Sequence, residues 1–131
     1  MNAKLNKNIF LGFLLLNTVM GLFFGFLPLV DFPLVLEMNQ IPYSQNLLIF
    51  GVVSGTAMLF LGSMFILSFY WTRKDKWEGS ITGMIGGGYL LLVGILSWLY
   101  TGDPTAFLMD SIRGFLTIFF GYYLYRSLKN L

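Results

Sequence analysis

Two oppositely charged side chains, Asp110 and Arg113, stand three residues apart inside an apolar run at about residues 106–125. Roughly 20 residues is the length a helix needs to cross the hydrocarbon core of a bilayer. An arginine near the middle of such a span costs at least ~2.5–3.5 kcal/mol on insertion scales, so a functional site is the default hypothesis for it. At about 100° per residue, Asp110, Arg113, Gly114, Thr117 and Gly121 fall on one face, with Phe115, Phe119 and Tyr122 elsewhere. The chemistry open to this pair is binding. A guanidinium can take an anionic or amphipathic molecule (a lipid, a quinone, an organic acid), and the carboxylate can hold or gate it. Asn17, Trp98 and Tyr100 are the further ligand contacts the chain offers, with Phe26 and Phe107 as aromatic walls. The competing reading is structural: Asp110 neutralises Arg113, or Arg113 extends to the nearer interface as long cationic side chains do.

Other chemistry is poorly provided for. With no histidine and no cysteine, the chain has neither imidazole nor thiolate for metal ligation or nucleophilic work. No paired deep carboxylates are present for general acid–base catalysis. The expectation is no catalytic residue, no metal and no cofactor, hence no enzyme.

Four long apolar runs must position Asp110 and Arg113. Of 131 residues, 56% are hydrophobic and only 11% charged, against roughly 25% charged in a soluble domain. The expected fold is all-α, an integral membrane four-helix bundle in a single transmembrane domain, 1–131, with spans at about 9–30, 46–70, 79–100 and 106–125. The first run is too long for the apolar part of a signal peptide and lacks a small-residue cleavage site, so it reads as an uncleaved helix. Within it, Asn17 can bond a neighbouring helix and Pro28 ends or kinks the last turn.

The outer loop, 31–45, has two readings. Asp31 can cap a short surface helix with Pro33 in its first turn. Alternatively, and preferred from sequence, the segment is an interfacial loop anchored by Phe32 and Tyr43. The basic inner loop, 71–78, holds Arg73, Lys74 and Lys76 between two tryptophans, a composition suited to a membrane interface and attractive to anionic headgroups. Thr101-Gly102-Asp103-Pro104 is a tight turn in which Gly102 ends one helix, Asp103 caps the next and Pro104 starts it.

Small residues mark the packing faces. Gly51, Gly55 and Gly62 share one face of the second span; Gly79, Gly83 and Gly87 repeat every four residues in the third; Gly114 and Gly121 lie beside Arg113 in the fourth. Such spacing lets helix backbones approach closely. Gly86-Gly87-Gly88 also admits a locally broken third helix.

Lys4, Lys7, Arg73, Lys74, Lys76, Arg126 and Lys129 all fall on one side of a four-span arrangement, and the opposite loops contain no lysine or arginine. The positive-inside rule then places both termini in the cytoplasm. The expected location is the plasma membrane, as a multi-pass protein of a bacterial inner membrane. Membrane lipid is the first partner, with homo-oligomerisation or other membrane subunits second and a small-molecule ligand third. No basic patch stands apart from the helix ends, so nucleic acid is not expected.

The layout resembles the DoxX-like group of small bacterial membrane proteins, through the Gly51…Gly55…Gly62 helix and Asp110-Ser-Ile-Arg113-Gly114. Members of that group carry an arginine early in the first helix, which this chain lacks. The resemblance implies an accessory subunit of a quinone-coupled redox complex and assigns no residue a role. The leading expectation is a non-catalytic helix-packing subunit or homo-oligomer, and a carrier or binder of a small anionic ligand is the alternative.

Overall fold

The computed structural model describes residues 2–38 and 40–130, with every side chain among them except that of Ala106. Among the described residues the chain is helical, without strands: α1 (Ala3–Val30), α2 (Phe32–Met38), α3 (Leu48–Arg73), α4 (Trp77–Thr101), α5 (Pro104–Ala106) and α6 (Ile112–Lys129). A short 3-10 turn, Gln45–Leu47, leads into α3, and a wider π turn, Phe107–Ser111, joins α5 to α6. Among the described residues, three helical stretches are long and apolar enough to cross a membrane: Ala3–Val30, Gln45–Arg73 and Trp77–Thr101. The fourth expected span is helical without a break from 104 to 129. Its α6 portion is only 18 residues long and carries Arg113, Arg126 and Lys129, which keeps it outside that group.

The side-chain distribution differs from that of a water-soluble domain. Asn6, Asn17, Thr18, Ser68, Thr72, Ser80, Ser111 and Thr117 are all buried, whereas Phe23, Phe60, Leu92, Leu99, Phe115 and Tyr122 are exposed. Water would penalise that arrangement, while hydrocarbon favours it, because lipid solvates large apolar groups as well as a protein interior does.

The chain divides into two compact units, Met1–Leu16 with Met64–Leu131, and Asn17–Ser63. In the second unit, a Cβ placed on Gly21 would lie 3.0 Å from the Gly62 Cα, and one on Gly55 would lie 2.8 Å from the Gly25 carbonyl oxygen. Glycine at these crossings lets α1 and α3 touch backbone to backbone. The first part of the segment preferred as a loop is instead helix α2, Phe32–Met38, and residues 41–44 beyond it are non-helical. The Asp31 carboxylate accepts from the Leu34 amide at 3.1 Å. Phe32 is 8% exposed, its ring seated over Gly51. It is therefore a packing residue rather than an interfacial anchor, and the Asp-x-Pro start prevails because cap and ring reinforce each other.

In the first unit, Phe10 and Leu14 are fully buried and fill the space left by Gly83, and Phe10 also fills that of Gly121. Phe65 covers Gly86. Asn6 Nδ2 donates to the Phe120 carbonyl at 3.2 Å, and Ser68 Oγ donates to the Gly79 carbonyl at 2.6 Å. A Cβ on Gly79 would collide with Thr72 and with the Ser68 carbonyl oxygen. The break allowed by Gly86-Gly87-Gly88 does not occur, and α4 runs through it.

At the far end of α4, Gly102 takes φ +70°, the left-handed conformation that glycine adopts without strain. Asp103 then caps α5, accepting from the Thr105 amide at 2.9 Å. That bond holds the exposed Asp103 carboxyl below the ordinary carboxylate pKa. The cap is thus intact at neutral pH and weakens as pH falls through the depressed value.

Candidate functional site

The π turn sets the geometry around Asp110. One extra residue in a helical turn rotates the upstream segment by about 100° against the α6 register. Ser111, at the end of this turn, is buried, and its Oγ donates to the Leu91 carbonyl of α4 at 3.0 Å. One turn on, Gly114 meets Gly87. Each carbonyl oxygen occupies the space a Cβ on the other would need. The start of α6 is thus pinned to α4 on both sides of Arg113.

Arg113 is held inward by this arrangement, at 9% exposure. Its Nη2 donates to Asp110 Oδ1 at 2.9 Å, a charge-assisted bond across three residues of one helix. Asp110 retains 30% exposure and forms the more open edge of the pair. The Arg113 carbonyl accepts from Thr117 Oγ1 at 2.8 Å. Arg113 Nε is buried and has no hydrogen-bond partner among the described residues. A guanidinium offers five donors, so this pair leaves binding capacity unspent.

Of the face read from the sequence, Arg113, Gly114, Thr117 and Gly121 are buried together, with Leu124 continuing the stripe. Phe115, Phe119 and Tyr122 point outward, as the spacing required. Trp98 packs against Phe107, ring centroids 5.1 Å apart, at 43% exposure. Tyr100, in the last turn of α4, is 87% exposed. Asn17 is 2% exposed within the Asn17–Ser63 unit. Phe26, the other proposed wall, lies in that same unit at 55% exposure, on a shallow apolar groove of about 370 Å³ with Leu22, Phe23, Leu27 and Val30.

One contributor carried no assigned role in the sequence: Ser111 stands there only as a spacer between the charges, and its bond to Leu91 follows from a wide turn that local composition does not encode. The cationic end of the unit, by contrast, follows the charge pattern. Lys7 Nζ reaches Asp75 Oδ1 at 2.6 Å and the Arg73 carbonyl at 3.4 Å. Lys129 lies over the Trp77 ring, 5.7 Å from its centroid. Lys7, the 73–76 turn and Lys129 therefore gather at one end, the grouping the charge pattern required.

Among the described residues, no group of three or more Asp and Glu side chains is placed to hold a metal ion. No family model, curated protein or solved structure matches the chain.

Proposed function

We propose that the chain is a four-span membrane protein with both termini in the cytoplasm, acting as a non-catalytic helix-packing subunit of a membrane complex or as a homo-oligomer. The supporting observation is the outer face of α6. Phe115, Phe119 and Tyr123 form an exposed aromatic ladder, with centroid separations of 6.4 and 4.9 Å. A stiff, preformed surface of rings in mutual contact, stacked at Phe115–Phe119 and edge-to-face at Phe119–Tyr123, is suited to another helix, which loses little entropy on meeting it. The glycine faces that first suggested association are spent within the protomer, so the outward surface for a partner is aromatic instead. A non-catalytic role also fits the state of Asp110, whose Oδ1 is engaged by Arg113. Residence in a bacterial inner membrane and the DoxX-like resemblance belong to the same reading.

Cross-linking in native membranes tests the association. A dimer or a larger complex is expected, weakened by Phe119→Ala. A strict monomer with no co-purifying membrane subunit would rule the reading out. Topology is separately testable because the chain has no native cysteine. In intact cells, a membrane-impermeant maleimide should label Tyr43→Cys and should reach Asn2→Cys or Asn130→Cys only after lysis. Labelling of Asn130→Cys in intact cells would reverse the orientation.

A second reading is supported by the buried, unpartnered Nε of Arg113. Here the pair binds a small anionic or amphipathic molecule, with Asp110 holding the guanidinium until the ligand arrives.

A further inference from the structure

We infer that the cytoplasmic-type end of α3 carries a binding site for the headgroup of an anionic phospholipid, formed by Tyr70, Arg73 and Lys74. These three residues line a cavity of about 220 Å³. The site is separate from the Asp110–Arg113 pair and does not depend on the subunit reading.

A helix C-terminus is ordinarily a poor place for an anion, because its free carbonyls carry roughly half a negative charge. Here the carbonyls of Trp71, Thr72 and Arg73 are occupied. The Trp71 carbonyl accepts from the amides of Lys74 at 3.1 Å and Lys76 at 3.0 Å, and the Thr72 carbonyl accepts from the Asp75 amide at 3.1 Å. This closure is of the Schellman type, with Asp75 left-handed at φ +56°. The Arg73 carbonyl accepts from Lys7 Nζ at 3.4 Å.

The same lysine engages the nearest carboxylate, since Lys7 pairs with Asp75 at 2.6 Å. Among the described residues, neither Arg73 nor Lys74 has a carboxylate within ion-pair distance. Two uncompensated cations thus border one cavity. Lys74 donates to the Tyr70 hydroxyl and lies 4.1 Å from its ring centroid. With its oxygen accepting from Lys74, the Tyr70 hydroxyl has its own proton free to donate. A phosphodiester would find a guanidinium fork, an ammonium and a phenolic donor together.

The apolar half of the ligand is specified as well. Ile66 and Leu67, one turn before Tyr70 on the same side of α3, are exposed. Acyl chains can lie along them while the phosphate sits above, an arrangement that free phosphate cannot exploit. Choline or ethanolamine headgroups would bring an additional cation beside Arg73, Lys74 and Lys76, so the site favours a headgroup with net negative charge, as in phosphatidylglycerol.

The test titrates full-length protein in detergent with phosphatidylglycerol, phosphatidylcholine or inorganic phosphate, reading bound lipid by native mass spectrometry. Phosphatidylglycerol is expected to bind preferentially, with about thirtyfold weaker binding in R73Q/K74Q, given ~1 kcal/mol per cation near the interface. Tyr70→Phe, which removes only a hydroxyl, should weaken it severalfold with helicity unchanged, so the proposal remains testable if the double variant misfolds. Lys129→Gln, a loss of one positive charge at the same end, should leave binding unchanged. Equal binding of phosphatidylcholine, equal losses for Lys129→Gln and R73Q/K74Q, or an unaltered Tyr70→Phe would overturn the proposal. Full competition by millimolar inorganic phosphate would overturn the lipid assignment by removing any role for the acyl chains.

Discussion

Gly114→Ala is expected to destabilise the folded protein by about 3 kcal/mol, at the top of the usual range for overpacking. The added methyl would overlap the Gly87 carbonyl oxygen and lie 2.7 Å from the Leu91 amide nitrogen. Both are backbone atoms of an unbroken helix, so neither can rotate away as a side-chain tip would. Relief requires separating α4 from α6, which would also strain the Ser111–Leu91 bond at 3.0 Å. Gly87→Ala should behave similarly, since its Cβ would lie 2.8 Å from the Gly114 carbonyl oxygen. Gly88→Ala is the control, because a Cβ there meets nothing within 4 Å. It should be neutral or slightly stabilising, as alanine costs less backbone entropy in a helix than glycine does. Thermal unfolding in one detergent separates the cases. Equal, neutral or slightly favourable changes at positions 88 and 114 would mean that helix propensity, not the crossing, dominates.

Much of this packing is legible in the residue order. Gly51, Gly55, Gly62, Gly79, Gly83, Gly87, Gly114 and Gly121 all lie at close approaches: to backbone at Gly55, Gly62, Gly79, Gly87 and Gly114, where few residue types fit, and to a neighbouring side chain at Gly51, Gly83 and Gly121. The 101–104 turn is equally readable, since Gly102 and Asp103 each suit a narrow backbone requirement. Less legible are features settled by tertiary contact. Phe32 looks the same in sequence whether it anchors a loop or covers Gly51. No single residue announces the π turn at Phe107–Ser111. Tyr100 and Trp98 are close in sequence and similar in type, yet only Trp98 finds a ring to pack on.

The largest effects are expected at Arg113 and Asp110 themselves. Asp110→Ala would leave a guanidinium at 9% exposure without its carboxylate. Removing one partner of a buried pair typically costs about 3–5 kcal/mol, because the other charge stays desolvated. Arg113→Ala should cost less, since the stranded Asp110 is 30% exposed and can gain solvation at its open edge. The double variant should recover much of the loss, giving a strongly non-additive cycle, because no lone charge remains. An arginine that merely reached for the interface would instead give near-additive effects. The cycle also sharpens the choice of function. In a purely structural pair, Arg113→Gln lowers unfolding temperature and nothing else. In a ligand site, it removes binding of a small anionic amphiphile while the folded population at assay temperature persists. Stability and binding must therefore be measured on the same preparation. Loss of binding in variants that remain folded would assign the spare guanidinium donors to a ligand. Retention of binding would return Arg113 to the internal architecture of the α4–α6 contact.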